Sequence, residues 1–243
     1  MVLRICRADM TSHKGFIWPT KGRVVAPDWE ATQECGHGLH GWFEAQGVAS
    51  YSNYLNEPDA KYLVLEVETD SIIHLDGKCK FPEADVIFVG SRDEAIAYIE
   101  ETYPYLRTMP LLFANRTAGD SGVVATGDYG TATTGDCGTA MAGYKGTATT
   151  GDFGTAAAGY NGTATAGFRG TATAGTHGTA TVGDCGTATA GDFGTAIAGI
   201  GGIIQIHYFN DRDRIAIGYI GEKGLKPNVK YKLDANHNFV EIA

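Results

Sequence analysis

Residues 35–42 read Cys35-Gly36-His37-Gly38-Leu39-His40-Gly41-Trp42 and gather the side chains best suited to proton or metal chemistry. Two imidazoles three residues apart, with a thiol just upstream, suit proton transfer or, together with Cys79, a metal ion. The spacing C-x-H-x-x-H is not a standard zinc pattern. A glycine-rich turn whose histidines satisfy backbone groups therefore stands beside the catalytic reading. A second set of polar groups is larger and more regular: Thr131/Thr133, Thr147/Thr149, Thr163/Thr165 and Thr179/Thr181. Alternate residues of a strand share a face, so each T-x-T pair points two hydroxyls the same way. Stacked, the pairs would form an array able to bind a protein or carbohydrate, or to order water. Threonine is also a strong strand former, so simple laddering competes with each of these readings. Asp120, Asp128, Asp136, Asp152, Asp184 and Asp192 recur beside glycines. A calcium-binding G-G-x-G-x-D nonapeptide is absent, which favours turn chemistry for them.

What positions the threonines is an eight-residue unit, G-x-x-G-T-A-T-A, running from about residue 115 to 202. Its two glycine columns, Gly119 to Gly199 and Gly122 to Gly202, hold 22 of the 34 glycines, and self-similarity at fixed period marks a repeat architecture. Two glycines per unit oppose helix. The alternating T-A-T-A run predicts a short strand with alanine inward, and the glycines predict corners of positive φ. One octamer cannot close a turn, so two octamers should form each coil of a parallel β-solenoid, giving about five coils. Alternate octamers then place an almost unbroken T-x-T array on one face, and stack Tyr144 over Tyr160. The opposite face, with Val123, Met141 and Ala157 at the equivalent places, is less regular.

Residues 1–114 read as an α+β head domain. Val2 to Cys6 is a first strand, and Gly15–Pro19 with Gly22–Trp29 a hairpin-like segment. Ala45 to Leu55 carries Val48, Tyr51 and Leu55 at helical spacing, predicting a helix. Lys61 to Leu75 alternates as a strand or strand pair, and Asp85 to Val89 is another strand. Ser91-Arg-Asp-Glu94 is a capping box opening a helix that Pro104 ends. Residues 203–243 form a β-rich cap in two strand pairs. An open solenoid end exposes strand edges, which the cap should cover at one end and the head at the other.

Net charge is −9 with no basic run, which argues against nucleic acid as the partner. The opening MVLRICRADM has no apolar core and no run reaches membrane-spanning length, so neither export nor membrane insertion is expected. Cys6, Cys35, Cys79, Cys137 and Cys185 are odd in number and scattered, as in reduced cytoplasmic proteins.

Octamers such as Ala142-Gly-Tyr-Lys-Gly-Thr-Ala-Thr149 and Ala166-Gly-Phe-Arg-Gly-Thr-Ala-Thr173 resemble the A-G-Y-x-x-T-x-T repeat of bacterial ice-nucleation proteins. That family's coil is also two octamers long. The resemblance implies that the T-x-T face templates water, though ice nucleators have many more coils. The whole chain also resembles an uncharacterised phage and bacterial family that joins a C-x-x-G-[FL]-H domain to octapeptide repeats. Cys35, Gly38, Leu39 and His40, then Asn115-Arg-Thr-Ala118, carry that likeness. Gly36-His-Gly-Leu-His40, followed by the expected helix with Tyr51 and Tyr54, resembles the G-x-G-[IL]-Y segment of ADP-ribosyltransferases. This last resemblance implies NAD bound by His37, Gly38, Leu39, Tyr51 and Tyr54. It further implies catalysis by Arg4 or Arg7 on an early strand, His40, and Glu83 on a late one. His40 stands where that family has tyrosine.

Three functions follow as expectations. The first is a non-enzymatic accessory module without cofactor, phage-encoded and in the (host) cytoplasm, engaging a protein partner and compatible with homo-oligomers. The second is an NAD-using ADP-ribosyltransferase-like head, which requires Arg4 or Arg7, His40 and Glu83 in one cleft. The third is ice or ordered-water binding by the T-x-T face.

Overall fold

The structure, a computed structural model, describes residues 1–242, which divide into two units, residues 1–114 and residues 115 onward.

In the first unit the chain forms seven strands and one α-helix: β1 (Val2–Cys6), β2 (Gly22–Val25), β3 (Leu39–Phe43), β4 (Lys61–Glu66), β5 (Ile73–Leu75), β6 (Lys78–Phe81), β7 (Glu83–Gly90) and α1 (Arg92–Thr102). All pair antiparallel in the order β2-β7-β4-β1-β3-β6-β5. Central β4 is apolar on both faces, and Leu63, Val64 and Leu65 are fully buried. The capping box forms as the sequence requires. Ser91 Oγ accepts from the Glu94 N–H, and the Glu94 carboxylate accepts from the Ser91 N–H at 2.8 Å.

The helix expected over Ala45–Leu55 is absent. Only Ala49–Tyr51 makes a single 3₁₀ turn. Glu44 and Ala45 take positive φ, and Gly47 reaches +138° with its α-carbon against the Gly77 carbonyl, where a side chain would collide. The Val48 N–H donates to that same carbonyl at 2.9 Å. Tertiary pairing with the β5–β6 turn thus overrides the helical spacing of Val48, Tyr51 and Leu55.

The second unit is a parallel β-solenoid of about six turns, in which Asn115–Thr117 and Ile203–Phe209 add one strand to each sheet beyond the octamer strands. Strands at Asn115–Thr117, Thr131–Thr133, Thr147–Thr149, Thr163–Ala166, Thr179–Val182 and Thr195–Ala198 make the first sheet. The intervening strands, Val123–Ala125 to Ile203–Phe209, make the second. Register is perfect at 16 residues, with Thr131 opposite Thr147, Thr163 opposite Thr179 and Ala140 opposite Ala156. Ala132, Ala148, Ala164, Ala180 and Ala196 line the interior at 0% exposure, facing Ala140, Ala156, Ala172 and Ala188. So small a side chain adds little burial, and repeated backbone ladders carry the cooperativity. After the last coil, Asp213–Tyr219 pairs antiparallel with Ile203–Phe209. Lys230–Leu233 pairs with Thr195–Ala198, and Phe239–Ile242 with Lys230–Leu233. Tyr231, Leu225 and Phe239 pack on the alanine core at this end.

The corners differ from expectation in an instructive way. The positive-φ residue of each corner is not a repeat glycine but the variable third position: Ser121, Tyr129, Cys137, Lys145, Phe153, Asn161, Arg169, His177, Cys185 and Phe193. Only the last corner puts glycine there, Gly201 at +65°. The repeat glycines are needed for close approach instead. A Cβ on Gly159 would lie 2.8 Å from the Gly143 carbonyl carbon, and one on Gly154 would meet Thr150.

Candidate functional site

The first sheet of the solenoid presents two threonine columns, Thr131-Thr147-Thr163-Thr179 and Thr133-Thr149-Thr165-Thr181. Thr163 is exposed and the others are partly exposed, while the alanines between them are buried. In-register parallel strands fix the hydroxyls on a rectangular grid, about 4.8 Å apart along a column and about 6.6 Å across each T-x-T pair. β-Branching leaves threonine few χ1 choices, so the grid is stiff as well as regular. The second sheet lacks that order. At its early coils Val123 is 71% exposed and Met141 43%, and Ala157 takes a threonine place. The full T-x-T pairs Thr171/Thr173 and Thr187/Thr189 come late, and the Thr189 hydroxyl is engaged by Gln205 at 3.1 Å.

The corners hold the coils in step. Asp120, Asp128, Asp136, Asp152 and Asp184 each accept, through Oδ1, the backbone N–H sixteen residues on, at 2.7–3.0 Å. These five aspartates are therefore coil-to-coil acceptors, and a charged acceptor makes such a bond stronger than a neutral one. One corner edge carries a ladder of rings, Tyr129, Tyr144, Tyr160, His177 and Phe193, with successive centroids 5.2–5.7 Å apart. Lys145 lies over the first two rings. Cys137 and Cys185 occupy the opposite corner as free, exposed thiols.

The first unit contains a cavity of about 410 Å³ whose wall includes Arg4, His13, Cys35, His40, Trp42, Tyr51, Tyr54 and Lys78. A neighbouring hollow shares Arg4, His13, Gly36 and His40 and adds Trp18, Asp28, His37, Gly38 and Leu39. Of the residues proposed for catalysis, Arg4 and His40 do meet: Arg4 Nη1 donates to the His40 carbonyl at 3.0 Å. Arg7 lies outside, against Glu57 at 3.6 Å and over the Tyr54 ring. Glu83 begins β7, two strands from β1, where it ion-pairs with Arg23 and does not line the cavity. The required cleft of arginine, His40 and Glu83 is therefore not assembled.

His40 Nε2 accepts from the Gly36 N–H at 3.4 Å. Burial, then the positive Lys78 and Arg4, push its pKa down to about 4, so the ring is neutral at physiological pH. His37 projects outward at φ 47°, beside Glu30 and Asp28. A side chain at Gly38, φ 147°, would strike Trp29, and Leu39 is buried opposite Phe81. Tyr51 is half exposed on the cavity rim and Tyr54 is buried in its wall. The metal reading fails on geometry. Cys79 is core, its thiol pushed up to about 11 by burial, whereas Cys35 is exposed and meets Lys78 at 2.9 Å. No group of three His, Cys, Asp or Glu able to hold a metal occurs among the described residues.

Lys78 and Lys80 belong to no motif in the sequence. Fully buried Lys80 donates to the Thr32 hydroxyl and the Glu34 carbonyl, at 3.0 and 2.9 Å, tying down the loop that precedes the histidines. The visible signal is the alternation K-C-K-F in β6, where two lysines share a face of a strand whose other residues are apolar.

A family model described as a domain of unknown function, DUF7666, matches residues 1–97. The repeat region is similar to ice nucleation proteins. The protein of Pseudomonas fluorescens is 38% identical over 103 residues, 42% of this chain and 8% of that one. That of Xanthomonas campestris pv. translucens is 36% identical over 106 residues, covering 43% and 7%. Ice nucleation protein InaU of Pantoea ananas is 35% identical over 101 residues, covering 41% and 10%. The chain thus spans a tenth or less of the length of these relatives. No solved structure matches. The relatives and the solenoid together fit a repeat-based, ice-binding-like surface, and they lend no support to a phage role, a protein partner or an ADP-ribosyltransferase. They also overturn the expected cytoplasmic placement, since the proteins the repeat region matches are ice nucleation proteins. Among the described residues, no helix is long and apolar enough to cross a membrane.

Proposed function

We propose that the first sheet of the solenoid binds ice, or ice-like ordered water, through its T-x-T columns. The observation that carries this reading is the perfect 16-residue register of Thr131, Thr147, Thr163 and Thr179 beside Thr133, Thr149, Thr165 and Thr181. Hydroxyls fixed by backbone ladders can hold water in a repeating pattern without the entropic loss of ordering flexible side chains. The threonine methyl groups between them discourage competing, disordered hydration. The similarity of the repeat to ice nucleation proteins supports the same reading. The array covers only a few coils, and a small template stabilises only a small ice embryo. The activity expected is therefore adsorption to existing ice more than nucleation at mild supercooling.

Partition of the full chain into slowly growing ice tests the proposal. The wild-type chain should concentrate in the ice fraction. The double variant Thr147→Lys/Thr165→Lys, which puts hydrated charges in the middle of the grid, should stay in the liquid. Equal exclusion of both chains from ice would overturn the reading.

A further inference from the structure

The cavity of the first unit is unbalanced in charge. Its wall contains Arg4, Lys78, His13 and His40 and, among the described residues, no Asp or Glu. Arg4 spends Nη1 on the His40 carbonyl, lies over the Trp18 ring at 5.4 Å, and leaves its buried Nε without a partner. The groups that act on its charge, Tyr54 and Cys6, are not carboxylates. A desolvated guanidinium lacking a counter-ion is costly, and proteins ordinarily pair such groups. Arg7, three residues on, shows the ordinary arrangement with Glu57. Lys78 brings a second cation to the same cavity from β6, 5.6 Å over the Tyr51 ring, and its Nζ donates to the Cys35 sulfur at 2.9 Å. His40 adds no charge at neutral pH but fixes Arg4 through its carbonyl.

Two cations from different strands lining one partly open cavity suit a dianion better than a single carboxylate. The aromatic wall of Trp42, Tyr51 and Tyr54 offers an apolar surface for the rest of a ligand, and about 410 Å³ is within the range of small-molecule sites. We infer that this cavity binds a phosphate monoester of an aromatic small molecule, with Arg4 and Lys78 on the phosphate and Tyr51 and Tyr54 against the ring. This site is independent of the threonine face.

The test is titration of the full chain with adenosine monophosphate, inorganic phosphate and adenosine, followed by calorimetry and by tryptophan fluorescence. Trp18 and Trp42 sit beside Arg4 and in the wall, so occupancy should change their emission. The monophosphate should saturate the site, phosphate alone should bind more weakly, and adenosine should not bind at matched concentrations. Lys78→Gln and Arg4→Met should each weaken the monophosphate by about tenfold or more, and Arg7→Gln should leave it unchanged. Circular dichroism confirms that each variant is folded, and Lys78, being partly exposed, keeps the test alive if Arg4→Met does not fold. Failure of both phosphate probes to bind at millimolar concentration would overturn the inference. So would equal binding of adenosine, or full binding by folded Lys78→Gln.

Discussion

Gly119 and Gly159 occupy the same column of the repeat, yet alanine should act oppositely at the two positions. Neither has positive φ, so alanine is conformationally allowed at both, and by restricting the unfolded chain it should add about 0.4–1 kcal/mol. At Gly119, in the first coil, the new methyl group meets nothing within 4 Å. At Gly159 it would lie 2.8 Å from the Gly143 carbonyl carbon and 3.0 Å from the Tyr144 nitrogen. Those atoms are backbone and cannot swing aside. The coils must part locally, stretching the bonds from the Gly159 N–H to the Ala142 and Gly143 carbonyls at 3.1 and 3.2 Å. Overpacking of this kind costs about 1–3 kcal/mol, leaving Gly159→Ala about 1–2 kcal/mol less stable than wild type. For a unit of this size each kcal/mol moves the midpoint by about 4 °C, so thermal unfolding followed by circular dichroism should show a fall of about 4–8 °C. Gly119→Ala should be unchanged or slightly raised. Equal effects at the two positions would refute the claim that coil-to-coil contact, and not chain flexibility, selects these glycines.

Other consequences follow from single atoms. Thr150 is buried with an unpartnered hydroxyl, and Val182 fills the same column two coils later. Thr150→Val should therefore stabilise the protein by about 1 kcal/mol in denaturant titration, and destabilisation would show that the hydroxyl is satisfied. His40 titrates near 4 in the fold against 6.5 for an ordinary histidine. The unfolded chain then binds more protons between those values, so stability is lost as pH falls through that window. The difference amounts to at most about 3 kcal/mol, reduced to about 1–2 by solvent around a partly exposed ring. His40→Gln should flatten the stability profile between pH 6.5 and 4 relative to wild type, and parallel profiles would show that His40 is not held neutral.

Translational symmetry made the solenoid readable before its structure was known. Each coil has the same neighbours as the next, so the period of Ala132, Ala148 and Ala164 is itself the packing pattern. The roles of the capping box at Ser91 and of the inward alanines are local and were equally legible. The head was harder because its sheet joins strands distant in sequence. Nothing near Ala45 announces that Gly77 will capture Val48, and nothing near Glu83 announces that Arg23 will pair with it. The glycine columns were legible as a pattern but not as a cause, since turn φ and backbone crowding leave the same residue. The cavity was half visible. The histidines and Arg4 were named from the sequence, whereas Lys78 joins Arg4 because β1 and β6 carry them to one space, which no spacing rule reveals.

Ice-growth arrest, watched on a single crystal held just below its melting point, tests the central claim most directly. Two outward substitutions of equal chemistry are compared, Thr163→Lys on the first sheet and Thr173→Lys on the second. The wild-type chain should shape and slow the crystal, Thr163→Lys should need about tenfold more protein for the same effect, and Thr173→Lys should match wild type. Equal loss in both variants, or a wild-type chain that leaves the crystal's growth unaltered, would contradict the assignment of ice binding to the T-x-T face.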